Sequence, residues 1–289
     1  MYGEDLHSNL YDLLPQTADH VHWDTAEQWS DIRRIGVSRT TDAAGGGHAH
    51  SGLMCYLGDN WPEAYRGGVF TINLHGKRLN HDRLERTDTG YVARHAEDFA
   101  RTTDPWFRAV ELTYGPDGGV LVMDWSDVGE CHENDGVHRA SGRIFKITHG
   151  TPRRPENLDV SRLGEAELTR LHTHANEWYA RQARKVLQER ASAGKPLGEA
   201  RSELRRMAEN ANEETHRLRA LWSLAVTGGA EEPWLIKQLE SGAASSRIAA
   251  IRILTDSLPV SPDAEQALER RAREESDGLV KRYLASAMQ

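Results

Sequence analysis

Gly68-Val-Phe-Thr-Ile-Asn-Leu74 and Gly119-Val-Leu-Val-Met-Asp-Trp125 decide how the first half of this sequence folds. In each stretch a glycine leaves a turn, β-branched and apolar residues follow, and a short polar group, Asn73 or Asp124, stands near the end. Such runs favour strands. Their recurrence after about 50 residues marks an internal repeat. Upstream, Gly52-Leu-Met-Cys-Tyr-Leu-Gly58 matches Ala109-Val-Glu-Leu-Thr-Tyr-Gly115. These run into Asp59-Asn-Trp-Pro62 and Gly115-Pro-Asp-Gly118. Proline presets φ for a turn and glycine accepts positive φ, so Gly-Pro-Asp-Gly predicts a hairpin. Outer strands are expected at Arg78–Arg86 and Tyr91–His95 in the first copy and at Gly142–Thr148 in the second.

Four-stranded antiparallel units of this length are the blades of a β-propeller. With Ala18-Asp-His-Val-His-Trp23 as a further strand-like stretch, residues 1–150 read as about two to three blades. A closed ring needs roughly four to eight. The expectation is therefore a partial β-propeller, its open edges covered by missing blades or by a longer parent protein, because an unpaired edge invites aggregation.

The grammar changes near residue 150. Of the 14 histidines, 11 precede Gly150 and 3 follow it. Thr151-Pro-Arg-Arg-Pro155 breaks both ladder and helix, so residues 151–160 read as a linker. Beyond it, residues 161–289 are 3.6-periodic and rich in Ala, Leu, Glu and Arg. Leu218-Arg-Ala-Leu-Trp-Ser-Leu224 resembles Ile248-Ala-Ala-Ile-Arg-Ile-Leu254, and Val280–Ser286 is a looser copy, with steps of about 30 residues. Trp178–Leu187 is a fourth candidate, and Pro233–Leu239 and Asp263–Arg273 are intervening helices. This predicts an all-α HEAT-like repeat domain; the alternative is an irregular helical domain. The fold class expected for the whole is mixed and two-domain.

A formal net charge of −8 argues against a nucleic-acid partner. No apolar run reaches the ~20 residues of a membrane helix, and Met1-Tyr-Gly-Glu-Asp5 opens without the basic and apolar regions of a signal peptide. Cys55 and Cys131 are the two cysteines, enough for one bridge. Neither stands in Cys-x-x-Cys-His, so no haem attachment is read on this chain.

Ala44-Gly-Gly-Gly-His-Ala-His-Ser-Gly52, Tyr56–Pro62, Asn73-Leu-His-Gly76, Thr103-Asp-Pro-Trp-Phe-Arg108, Gly115–Gly118, Asp124-Trp125, Gly129-Glu-Cys-His132 and Gly142-Arg-Ile144 together resemble a known family. It is the membrane-bound dehydrogenases of planctomycetes and verrucomicrobia, in which a glucose/sorbosone dehydrogenase-like propeller precedes HEAT repeats, often with a c-type haem domain further on. Asn176–Arg190 fits the same family. The resemblance implies a quinone-dependent (PQQ-type) sugar or polyol dehydrogenase in the full-length parent, with PQQ and Ca²⁺ as cofactors, a carbohydrate substrate and a periplasmic or exported location. This chain lacks the early blades and the haem motif, which puts a complete active site in question. The alternative is a non-catalytic propeller and HEAT module, binding a protein partner through the helical repeats, with no activity of its own.

Within that frame, His48 and His50 are the candidate bases. Three glycines precede them, they share a face if the stretch is a strand, and imidazole titrates near neutral pH. The competing role is a buried structural histidine or a metal ligand. Arg108 is a candidate to hold an anionic cofactor, or else to bridge Asp104 or Asp124. Asn73, His75 and Asp124 complete the cofactor candidates; Asn73 and Asp124 hold equivalent repeat positions, which points first to pinning a turn and second to lining a channel. Asp127, Glu130 and His132 lie in an acidic patch that can bind Ca²⁺ or remain a solvated loop, its spacing matching no EF-hand or zinc template. Trp61, Trp106 and Trp125 are read as packing residues, with sugar stacking as the alternative.

Overall fold

The runs of alternating and continuous apolar residues do become strands, and the 3.6-periodic half becomes helices. The computed structural model describes residues 50–74, 76–126, 138, 140–155, 158–256 and 259–288. Among these, eight strands precede eight α-helices. The strands are β1 (His50–Cys55), β2 (Val69–Asn73), β3 (Arg78–Arg86), β4 (Tyr91–His95), β5 (Ala100–Arg101), β6 (Ala109–Tyr114), β7 (Val120–Asp124) and β8 (Arg143–Ile147). The strand-like stretch Ala18–Trp23 lies outside the described residues. Contacts divide the described residues into two compact units, with 50–85 and 92–154 in the first and 86–91 and 155 onward in the second.

The first unit holds two antiparallel sheets, β1-β2-β3-β4 with β5 on β3, and β6-β7-β8. Their registers reveal the repeat. Asn73 pairs with His50 and Arg78, while Asp124 pairs with Ala109 and Arg143. Each inner pair also carries a bulge near its start, between Ser51 and Leu53 in one and Ala109 and Glu111 in the other, one position apart in the repeat. His50 is thus the counterpart of Ala109. The sequence match of Gly52 with Ala109 is two residues out of step; because the slip is an even number, every side chain keeps its face.

Burial of the paired counterparts shows how the sheets stack. Leu53 is 71% exposed while its counterpart Leu112 is 3% exposed; Ile72 is fully buried while its counterpart Met123 is 45% exposed. Equivalent residues therefore point the same way, one into the space between the sheets and its counterpart out of it, so the two sheets lie front to back rather than inner face to inner face. This explains why Val-Phe-Thr-Ile and Val-Leu-Val-Met carry apolar residues at successive positions: the repeat is written for sheets covered on both sides. The second sheet's outer face consequently shows Met123, Trp125 and Ile144 to solvent.

The two turns singled out in the sequence lock the sheets together. The Tyr56 hydroxyl donates to the Gly118 carbonyl at 2.9 Å and accepts the N–H groups of Asn60 and Trp61 at 3.0 and 2.8 Å. Asn60 pairs its side-chain amide with the backbone of His149, at 2.8 and 3.2 Å, as a strand neighbour would. Trp61 stacks between Tyr56 and Phe99 and donates its indole N–H to Ile147. Gly118 has φ +73°, and a Cβ there would lie 2.6 Å from the Asn60 nitrogen, so glycine is required twice over.

The second unit contains α1 (Glu165–Arg170), α2 (Glu177–Ser192), α3 (Gly198–Asn210), α4 (Glu214–Val226), α5 (Glu232–Gln238), α6 (Ala244–Leu254), α7 (Pro262–Glu274) and α8 (Gly278–Ala287). Helices α3 and α4, α5 and α6, and α7 and α8 pack as neighbours, while α4, α6 and α8 pack in succession over one continuous apolar core. The 30-residue step is visible in hydrogen bonds. Arg217 reaches back from α4 to the carbonyls of Ala211 and Asn212, at 2.6 and 3.3 Å. Arg247 makes the same pair of bonds from α6 to Ser241 and Gly242, at 2.8 and 3.3 Å. Two arginines are buried against carboxylates, Arg219 on Glu177 and Arg247 on Glu275. No described helix is long and apolar enough to cross a membrane.

Candidate functional site

The polar residues that the repeat places at strand ends hold turns. Asn73 is fully buried, and its Oδ1 accepts the N–H of Gly76 at 2.7 Å. Asp124 accepts the N–H groups of Arg108 and Ser126 on Oδ1, at 2.7 and 3.0 Å, and Nε of Arg143 on Oδ2 at 2.8 Å. A carboxylate with three donors has little acceptor capacity left. Arg143 also bridges to Asp104 at 2.7 Å. The Trp106 N–H, and after it the Arg143 guanidinium, hold the Asp104 carboxyl below its usual range. Desolvation opposes the charge on Arg143, but its bonds to Asp104 and Asp124 outweigh that and raise its pKa.

Arg108 does not make the bridge to Asp104 and Asp124; Arg143 makes it. The Arg108 guanidinium folds back on its own loop, donating to the carbonyls of Pro105 and Phe107 at 3.2 and 2.8 Å. The reason is local: the Asp104-Pro-Trp-Phe turn leaves these carbonyls beside the residue that enters β6. His50 is half-buried at the start of β1, across from Asn73. His48, His75, Asp127, Glu130, His132 and Cys131 lie outside the described residues. The metal candidates and the Cys55–Cys131 pair therefore fall there. Among the described residues, no group of three or more His, Cys, Asp or Glu side chains is placed to hold a metal ion. Trp61 is a packing residue, whereas Trp125 is 59% exposed on the open sheet face.

A cleft of about 360 Å³ opens between the outer strands of the two sheets. Its cationic side chains are Lys77, Arg78 and Arg101 from the first sheet and Arg143 and Lys146 from the second. Neither His50 nor Arg108 lines it. Most of the cations are held from behind: Asp98 takes Arg78 and Arg101 at 2.7 and 2.8 Å, Asp124 takes Arg143, and Asp117 takes Lys146. Asp98 and Asp124 are almost wholly buried, so these carboxylates anchor Arg78, Arg101 and Arg143 from the protein side. Only the tertiary fold assembles this set. A denser count of Arg and Lys at the strand ends Lys77-Arg78, Arg101 and Arg143 was the available signal in the sequence.

A family model for a domain of unknown function, DUF7133, matches residues 4–151, about half of the chain. The chain belongs to the DUF7133 family. No curated protein and no solved structure matches it. In this DUF7133 chain the matched span takes in all eight described strands.

Proposed function

We propose that this chain is a recognition and scaffolding module, a run of β-propeller blades followed by HEAT-like helices, within a longer dehydrogenase-like protein. The front-to-back stacking of the two sheets carries this reading. Phe70 and Ile72 are fully buried, whereas their counterparts are Leu121 and the exposed Met123 on the second sheet's own open face. By continuity of the interface already present, the occupant of that face is a further sheet of the same repeat. Exposed apolar rows of this kind mark interaction surfaces. The residues offered for a quinone, Arg108, Asn73 and Asp124, are engaged in holding turns, which supports a structural role for this chain in place of the oxidative step.

Sedimentation velocity over a wide concentration range tests the stacking. The expected result is reversible self-association, weakened by Met123→Lys or Ile144→Lys. A wild-type chain that stays monomeric at several hundred micromolar, with unchanged solubility in the variants, sinks it. The dehydrogenase alternative is tested on the same protein by adding PQQ and Ca²⁺ and screening sugars and polyols with a dye acceptor. Turnover abolished by His50→Ala would overturn the module reading; its absence is expected.

A further inference from the structure

The second sheet ends on an edge that its counterpart in the first sheet keeps covered. Strand β8 is the counterpart of β3, because Arg143 pairs with Asp124 as Arg78 pairs with Asn73. On β3 the carbonyls of Lys77, Leu79 and His81 point away from β2. They accept the N–H groups of Thr102, Phe99 and Ala96, at 3.0, 2.9 and 2.9 Å. This covering segment, residues 96–102, also sets Ala100 against Leu79 and stacks the Phe99 ring on Trp61, 4.2 Å between centroids. By the same register, Gly142, Ile144 and Lys146 turn their backbone groups away from β7. Among the described residues no strand or loop bonds that edge: the sheet order stops at β8, and the chain leaves through Pro152 and Pro155. Ile144 is accordingly 70% exposed where Leu79 is 3%.

An open strand edge is a template for a further strand, and proteins guard such edges with proline, bulges or projecting lysines. Strand β8 contains no proline, and its pairing with β7 runs from Arg143 to Ile147 without a register shift. Its two cations do not guard it, because Arg143 is tied to Asp104 and Asp124, and Lys146 to Asp117. We infer that the β8 edge binds an extended segment of a partner protein that carries an aromatic residue. The segment's N–H groups bond the carbonyls of Gly142, Ile144 and Lys146. Its ring lies against Ile144 and Leu121, the counterpart of Phe70, as Phe99 stands edge-on to Phe70 at 5.7 Å. The chain's own cover for β3 defines this occupant. The inference rests on the repeat and not on the stacking of the open face.

The probe is the acetylated and amidated peptide Ala-Glu-Asp-Phe-Ala-Arg-Thr, the sequence of residues 96–102, titrated into the full chain. Saturable shifts of the Ile144 and Lys146 amide signals are expected by NMR. N-methylation of the peptide's phenylalanine removes one main-chain donor and is expected to weaken binding about 10-fold, equivalent to ~1.4 kcal/mol. On the protein side, Ile144→Pro removes an edge donor at a place where proline is tolerated. It is expected to abolish binding with the circular dichroism spectrum unchanged. Equal affinity for the methylated and unmethylated peptides overturns the inference, as do unmoved Ile144 and Lys146 signals at millimolar peptide. Slow hydrogen exchange of those two amides in the free chain overturns it as well, because the edge is then already filled. Loss of peptide binding in Met123→Lys also overturns it, because that places the peptide on the open sheet face; it leaves the stacking proposal standing.

Discussion

His172 makes the helical unit acid-sensitive, and the size of the effect follows from its surroundings. It is fully buried after α1. Its Nδ1 faces the carbonyls of Leu168 and Thr169 at 3.0 and 3.2 Å, so that nitrogen carries the proton and donates. Its Nε2 lies 2.6 Å from the Ser223 hydroxyl on α4, which donates to it. Every partner is thus matched to neutral imidazole. Burial, together with the guanidinium groups of Arg184 and Arg219, pushes the pKa from 6.5 down to about 4. A depressed histidine pKa means that the unfolded chain takes up the proton first as pH falls. The stabilisation is complete above pH 6.5 and is lost progressively toward pH 4. At about 1.4 kcal/mol per unit, the loss is roughly 3 kcal/mol. Urea unfolding followed by helical ellipticity, from pH 7.5 to 4, should show this loss in the wild type. His172→Gln, which keeps a donor and an acceptor but cannot titrate, should show a loss smaller by that amount. Parallel curves for the two proteins, or an imidazole that titrates near 6.5 by NMR in the folded chain, would refute the reasoning.

Two further outcomes test the packing. Gly118→Ala places a Cβ 2.6 Å from the Asn60 nitrogen at a positive φ, and should destabilise the sheet unit by about 2 kcal/mol or more, read from the tryptophan-fluorescence transition. Arg219→Leu strips Glu177 of its nearer partner, at 2.5 Å, leaving only Arg184 at 3.8 Å, and should cost about 3 kcal/mol in urea unfolding; adding Glu177→Leu should recover most of it.

How much of this fold was legible depended on the range of the interaction. The strands from Arg78 to Arg86 and Tyr91 to His95, and the helices over Leu218–Leu224 and Ile248–Leu254, follow from periodicity and turn residues, which act over a few positions. The pairing of Asn73 with Asp124 as repeat counterparts was equally local, because each closes the turn next to it. The β1 and β6 match was two residues out, since the bulges and the unequal turns that follow leave no trace in residue type. The bridge to Asp104 and Asp124 belongs to Arg143, because the pairing of β7 with β8 sets Arg143 directly against Asp124, a register no local stretch of sequence displays.

Read as a string, the chain specifies antiparallel strands and then helices, and a repeat with apolar residues on both faces of each sheet. Which face of one sheet covers which face of the next is a different matter. It is set by Tyr56 on Gly118 and Asn60 on His149, contacts spanning 62 and 89 residues. The cationic cleft and the His172–Ser223 pair likewise exist only once distant segments meet, because burial and charge proximity are properties of the packed chain and not of any window along it.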